Sequence, residues 1–175
     1  MAIYSFDDKA PQIGKGSFIH PTADVIGDVK LGENTFVGAG AVMRGDYGTI
    51  VVGDNCSIEE NCTIHARPGE ICTLGDWVTV GHAAIIHNAK IVGDYAVLGM
   101  GSITSDYSEI GEWAVVAEGA VVRNSQKIPA ETIVVGIPTR EVGKVDEAFK
   151  KQWTIFKQNY VDLANTYPQR MKRID

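Results

Sequence analysis

The stretch "LGDWVTVGHAAIIHNAKIVGDYAVLGMGSI", residues 74–103, is written on a period of six. Leu74, Val80, Ile86, Val92 and Leu98 recur at that interval. Glycine follows several of them (Gly75, Gly81, Gly93, Gly99), and small residues stand four places after (Ala84, Ala96, Ser102). The phase continues through Thr104, Ile110, Val116, Val122, Ile128 and Val134. Upstream it reappears as Ile13, Ile19, Val25, Leu31, Val37 and Met43, and again as Val52, Ile58 and Ile64. Lys90 and Gln126 break the small-residue rule. A sustained period of this kind marks a stacked repeat. Glycine just past each apolar residue suits a turn with unusual dihedrals, and small residues suit a cramped interior.

This pattern resembles the hexapeptide-repeat family. The resemblance implies an all-β solenoid, a left-handed parallel β-helix of triangular section with three hexads to an 18-residue coil. It covers residues 13–135 of what reads as a single domain, 1–175. After Pro138 the period changes: Phe149, Trp153, Phe156, Tyr160, Leu163 and Tyr167 step by four and three. That spacing predicts an amphipathic C-terminal α-helix over about 143–167, packed along one flank of the solenoid.

Composition narrows the function. The 175 residues carry a net charge of −6, which argues against nucleic acid or an anionic membrane as partner. The N-terminal "MAIYSFDDKAPQIG" has neither the basic region nor the apolar core of a signal peptide. No apolar run approaches the roughly 18 residues of a spanning helix. Cys56, Cys62 and Cys72 make no CxxC pair and no even disulfide framework. Reduced thiols in a cytoplasmic protein are the expectation. Cys56 and Cys62 fall on the small inward position and read as core; Cys72 lies beside an insertion, where the site is within reach.

Two breaks in register locate that site. Three residues are inserted between Met43 and Val52, and four between Ile64 and Leu74, the latter including "ARPGE" (66–70). Arg44, His65 and His87 are separated by one coil plus the three inserted residues, then by one coil plus the four. They should therefore stack on one edge in successive coils. His82 follows Gly81 nearly one face earlier and cannot join them within one chain. A threefold assembly brings His82 of the next subunit to His65 and His87. Three imidazoles with an open fourth position are what a catalytic zinc ion requires; iron and cobalt are accommodated by the same donors. His20, in "FIHPTA", has no such partner and reads as structural.

The segments "VMRGDYG" (42–48), "CSIEENCTIHA" (56–66) and "TVGHAAIIHNA" (79–89) resemble the γ-class carbonic anhydrases and their close homologues, a trimeric branch of the hexapeptide family. The resemblance implies that His65, His82 and His87 bind zinc, or iron. It implies an ion pair of Arg44 with Asp46 beside the site at the interface, and reversible hydration of carbon dioxide to bicarbonate there by a metal-activated water. Tyr160, in "NYVDLA", matches a tyrosine of the family's C-terminal helix that approaches the active site; its spacing equally supports a core role. The sequence departs from the family at Glu59 and Glu60, where a glutamine followed by an aspartate is common. An ionised carboxylate cannot donate a hydrogen bond as an amide does, and its charge opposes ionisation of a nearby water. The long acidic loop of the most active archetype is missing, Glu70 being a poor substitute, so proton transfer is left to Glu59 or Glu60 and hydration is expected to be weak. Two other classes stay open: acyl transfer or thioester hydrolysis on coenzyme A substrates, which "VVGIPTREV" (134–142) also resembles, and a non-catalytic trimeric scaffold. Trp77, Trp113 and Trp153 show no stacking pattern suggestive of a ligand groove.

Overall fold

The computed structural model describes residues 2–175. From Gln12 to Val135 the chain winds as a left-handed parallel β-helix of about seven coils. One face is a sheet of two-residue parallel strands running from Phe18–Ile19 through Phe36–Val37, Ser57–Ile58, Thr79–Val80 and Val97–Leu98 to Val115–Val116, followed by Thr132–Val135. The other two faces merge into a single sheet because strands Asp24–Leu31 and Val42–Val52 run across a corner without stopping. A short strand, Ala2–Tyr4, precedes the expected start and pairs in parallel with Asp24–Leu31.

The period of six is a packing period. The aliphatic residue of each hexad points inward, and Val25, Val37, Met43, Ile58, Ile64, Val80, Ile86 and Leu98 are fully buried. The small residues four places on, among them Ala23, Ala41, Cys56, Cys62, Ala84 and Ala96, are buried at the corners beside them. Cys72 also faces the core, opposite Ile50, rather than the histidine edge. Burial pushes all three thiols up to about 12, so they are inert filler.

The corners correct the reading of the glycines. Gly32, Gly53, Gly75, Gly93 and Gly111 have ordinary backbone angles; the left-handed conformation falls two residues later, at Asn34, Asn55, Trp77, Tyr95 and Trp113. What the glycines supply is close approach. A Cβ on Gly32 would lie 2.4 Å from the carbonyl of Gly53 in the next coil. Each left-handed residue hydrogen-bonds to the coil before it, as Trp77 N–H does to Asp54 O at 2.8 Å. Trp77, Tyr95 and Trp113 thus recur at one corner and do stack, contrary to the expectation for the tryptophans. Their ring centroids are 6.0 and 4.6 Å apart and the ring planes are nearly parallel.

The helix spans Glu147–Arg170. It begins later than the apolar spacing suggested because Arg140–Lys144 forms an antiparallel strand against Thr132–Val135, after which Asp146 caps the helix by accepting the N–H of Phe149 at 2.8 Å. Its core contact is Tyr160, Leu163 and Tyr167 against Phe18 and Phe36. The most buried positions, however, are Lys157, Val161 and Ala164, whereas Phe156 is 44% exposed. No helix is long and apolar enough to cross a membrane among the described residues.

Lys157 is the unexpected member of that interface. Its Nζ donates to Trp77 O at 2.7 Å, Thr79 Oγ1 at 3.0 Å and Ala96 O at 3.3 Å. Loss of hydration on burial outweighs the attraction of Glu59 and holds its pKa down at about 7. In the unfolded chain a lysine titrates near about 10.4. Between these values the unfolded chain carries the extra proton, so stability rises as pH climbs from 7 toward 10, by up to about 1.4 kcal/mol per pH unit. Lys157→Met is expected to flatten that slope in urea unfolding followed from pH 7 to 10. A variant with the wild-type slope would assign it to another group.

Candidate metal centre

The histidine edge forms as the insertions require. Strand register pairs Arg44 with His65 and His65 with His87, each one residue beyond an inward aliphatic (Met43, Ile64, Ile86). The two insertions lie against each other as a lip beside this ladder. Tyr47 O accepts the N–H of Gly69 at 3.2 Å, and Thr49 N–H donates to Glu70 O at 2.9 Å. Glu70 itself is exposed.

His65 Nδ1 faces His87 Nε2 at 3.3 Å. The first insertion returns Asp46 to this edge. One carboxylate oxygen takes Arg44 Nη1 at 2.6 Å, so the Arg44–Asp46 pair closes within one chain. The other lies 3.4 Å from His65 Nε2, a charge contact outside good hydrogen-bond geometry, and that buried nitrogen has no other partner. Burial and then the Arg44 charge lower the pKa of His65, keeping its ring neutral at pH 7.

His87 has a second partner that sequence reasoning missed. Asp106 Oδ1 lies 3.1 Å from His87 Nδ1, and the same carboxylate is held by Arg67 at 2.6 and 2.8 Å through Nε and Nη2. The Arg67 hydrogen bonds keep Asp106 well below the usual carboxylate range, so it is an ionised acceptor for Nδ1–H. That leaves the Nε2 lone pair of His87 aimed at His65. Asp106 was visible in principle, since it stands one coil and one residue after His87. Arg67 lies in the inserted segment, where no repeat signals it.

His82 occupies a different corner, as its position in the hexad demands. Its Nδ1 lies 2.7 Å from Glu60 Oε2 and its Nε2 3.2 Å from Glu59 Oε2. Glu59 also accepts the backbone N–H of His82 at 3.1 Å. Only 5% exposed, Glu59 has its pKa raised by burial despite the neighbouring His82 and a hydrogen bond from Tyr160. Tyr160 packs on Phe36, the core role its spacing supported, and burial together with the nearby Glu59 charge raises its pKa. Among the described residues of one chain, no three such side chains gather into a metal-binding group. His20 pairs locally with Thr22 at 2.9 Å.

Whether the residues suit a metal ion can be tested on these distances. A tetrahedral ion with bonds of about 2.0–2.1 Å separates its ligand atoms by about 3.3 Å. The His65 and His87 nitrogens stand at that separation, with the remaining ring nitrogen of His87 hydrogen-bonded to a carboxylate in the way that orients metal ligands. The pair fits. Beside His82 and Glu59 a cavity of about 460 Å³ runs between the short-stranded face and the helix, past Val97, Val115 and Ile133 to Phe149 and Trp153. Trp153 thus does line a groove.

The bacterial transferase hexapeptide (six repeats) family matches residues 10–45. Over 90 residues the chain is 37% identical to gamma carbonic anhydrase 1, mitochondrial, of Arabidopsis thaliana, covering 48% of this chain and 33% of that protein. It is likewise 37% identical over 89 residues to a carbonic anhydrase of Geobacillus kaustophilus, covering 51% and 49%. The matches thus span about half or less of these curated relatives. A crystal structure of a Bacillus cereus protein described as an acetyltransferase superposes with a TM-score of 0.94 at 32% identity, covering 97% of this chain and 98% of that one.

Proposed function

Since this chain belongs to the hexapeptide-repeat family of left-handed β-helix proteins, we propose that it is a metalloenzyme of the γ-class carbonic anhydrase type, reversibly hydrating carbon dioxide as a homotrimer. The observation that carries the reading is the opposed nitrogen pair of His65 and His87, 3.3 Å apart, with His82 set on another edge, where it would serve a second copy. Zinc, with iron or cobalt as substitutes, would be held by His65 and His87 of one subunit and His82 of the next. When bound it supplies Lewis-acid activation of water at neutral pH.

The chain's own residues do the rest. Asp106, clamped by Arg67, orients His87 and keeps its Nε2 free to ligate. Asp46, steadied by Arg44, places its charge 3.4 Å from His65 Nε2 without a hydrogen bond to it. Glu59 and Glu60 flank His82 as the proton acceptors; Glu60, 38% exposed, is the one that reaches solvent. Removing an orienting carboxylate of this kind weakens metal binding, so Asp106→Ala is expected to lower metal affinity about 10–100-fold in chelator competition. Unchanged affinity would reduce Asp106 to a brace for the lip.

The reading is tested by elemental analysis of protein purified without chelators, aerobically and anaerobically, followed by stopped-flow hydration of carbon dioxide. About one metal ion per chain is expected. No metal in either preparation, even after reloading, would overturn it. One observation favours a second reading, acyl transfer or thioester hydrolysis: the apolar cavity that ends on Glu59 and His82. Saturable coenzyme A binding by metal-free protein would support that alternative, and a metal-free trimer with neither property would be a scaffold.

A further inference from the structure

The short-stranded face of the solenoid changes character along its length. Its outward side chains are in register from coil to coil: Phe18 and Phe36 give way, through Thr79, to Val97, Val115 and Ile133. The helix is pinned to this face on both sides of the change. Tyr160 and Tyr167 pack on the two phenylalanines, and Lys157 closes onto Thr79 at 3.0 Å. At the other end Asp146 caps the helix and Lys150 reaches Glu131 at 2.6 Å. Held at these points, the helix cannot settle onto the shorter valines. Phe149 and Trp153, stacked with centroids 5.6 Å apart, roof the gap, and the cavity of about 460 Å³ remains.

A space of this size is foreign to a packed interior, where gaps larger than a water molecule are few. It falls within the range of about 300–1,000 Å³ that small-molecule sites occupy. It far exceeds what carbon dioxide or bicarbonate would fill. Its walls select the occupant. They are aliphatic and aromatic, and among the described residues no lysine or arginine lines them. Lys157 directs its donors at Trp77 O, Thr79 Oγ1 and Ala96 O instead. An exposed glutamate, Glu118, also borders the cavity. A carboxylate or phosphate carried inside would lose its water with no lysine or arginine to meet it. A hydrocarbon chain or ring gains dispersion contact from the valine floor and the aromatic roof.

We propose that this cavity is a binding site for an uncharged, largely apolar organic molecule, seated between the Val97–Val115–Ile133 ladder and the Phe149–Trp153 roof. The assignment goes beyond the hydration reading and needs no metal. Because the cavity also touches His82 and Glu59, its occupant lies beside the proposed metal centre without being a substrate of hydration.

The probe is N-phenyl-1-naphthylamine, uncharged and fluorescent in apolar surroundings, titrated into the full-length protein as purified and again after chelation. Saturable enhancement is expected in both, displaced by 1-octanol and not by octanoate or octanoyl-coenzyme A. Val115→Phe, which fills the floor, is expected to weaken probe binding about tenfold or more while keeping the β-sheet circular dichroism of wild type. Val115→Leu, a smaller step, should weaken it in the same direction and covers the case of a Val115→Phe variant that fails to fold. Ile13→Thr, in the separate apolar groove bordered by Ile3 and Pro168, should bind as wild type does. No saturable binding by wild type, or binding undiminished in the Val115 variants, would overturn the site. Displacement by octanoate or octanoyl-coenzyme A as readily as by 1-octanol would overturn the selection for an uncharged ligand. Absence of metal or of hydration activity would sink the reading above and leave the probe result untouched.

Discussion

Replacing His82 with alanine is expected to strip the protein of its metal while leaving each chain folded. His82 lies at a corner, its side chain 48% exposed, and contributes nothing to the core. Its ring nitrogens are partnered by Glu59 and Glu60. Truncation leaves the Glu59 carboxyl without its imidazole partner, at a cost of about 1–3 kcal/mol, small beside the many stacked core residues. The proposed metal site has no such reserve. His65 and His87 supply two nitrogens, and within one chain no third metal-binding side chain joins them among the described residues. Elemental analysis should fall from about one ion per chain to nearly none, with an unchanged β-sheet circular dichroism spectrum. Stoichiometric metal in that variant would refute a site shared between subunits.

Gly32→Ala is expected to be among the most damaging single methyl groups that can be added to the solenoid. Gly32 has an ordinary backbone conformation, so alanine fits its dihedrals; the obstacle is space. The new Cβ would sit 2.4 Å from Gly53 C and O, and 2.5 Å from Asp54 Oδ1. The neighbouring coil cannot retreat, because Gly32 N–H is bonded to Val52 O and Gly53 N–H to Leu74 O, both at 2.9 Å. A loss of about 3 kcal/mol or more follows, read as a fall in Tm of roughly 6–12 °C for a chain of this size. Gly143→Ala is the control: nothing lies within 4 Å of its Cβ position, its φ is ordinary, and its melting should barely move. Equal effects at the two positions would show that close approach is not why glycine recurs.

These two positions mark how far the sequence could be read. Gly32 belongs to a repeat, and the repeat announces that something small is needed; whether the need is for dihedral freedom or for space is a matter of the neighbouring coil. The left-handed corner falls instead on residues such as Asn34 and Trp77, which no propensity would nominate together. The helix face was misjudged for a related reason. Phe149, Trp153 and Phe156 share a spacing, but the sheet beneath offers acceptors at Trp77, Thr79 and Ala96, so a lysine is drawn in where an aromatic was expected.

What the sequence determined by itself was everything that depends on counting along the chain. The period of six sets the coils, the insertions set the phase, and together they put Arg44, His65 and His87 in line and His82 out of it, because strand register in a parallel solenoid is a fixed number of residues per turn. What only the tertiary structure decided is which side chains meet across coils and corners. Asp106 reaches His87 because Arg67, in an insertion with no repeat to phase it, folds back to hold it. Glu59 faces His82 because the corner turns both toward one point. Those encounters depend on side-chain direction and burial, which one-dimensional spacing does not encode.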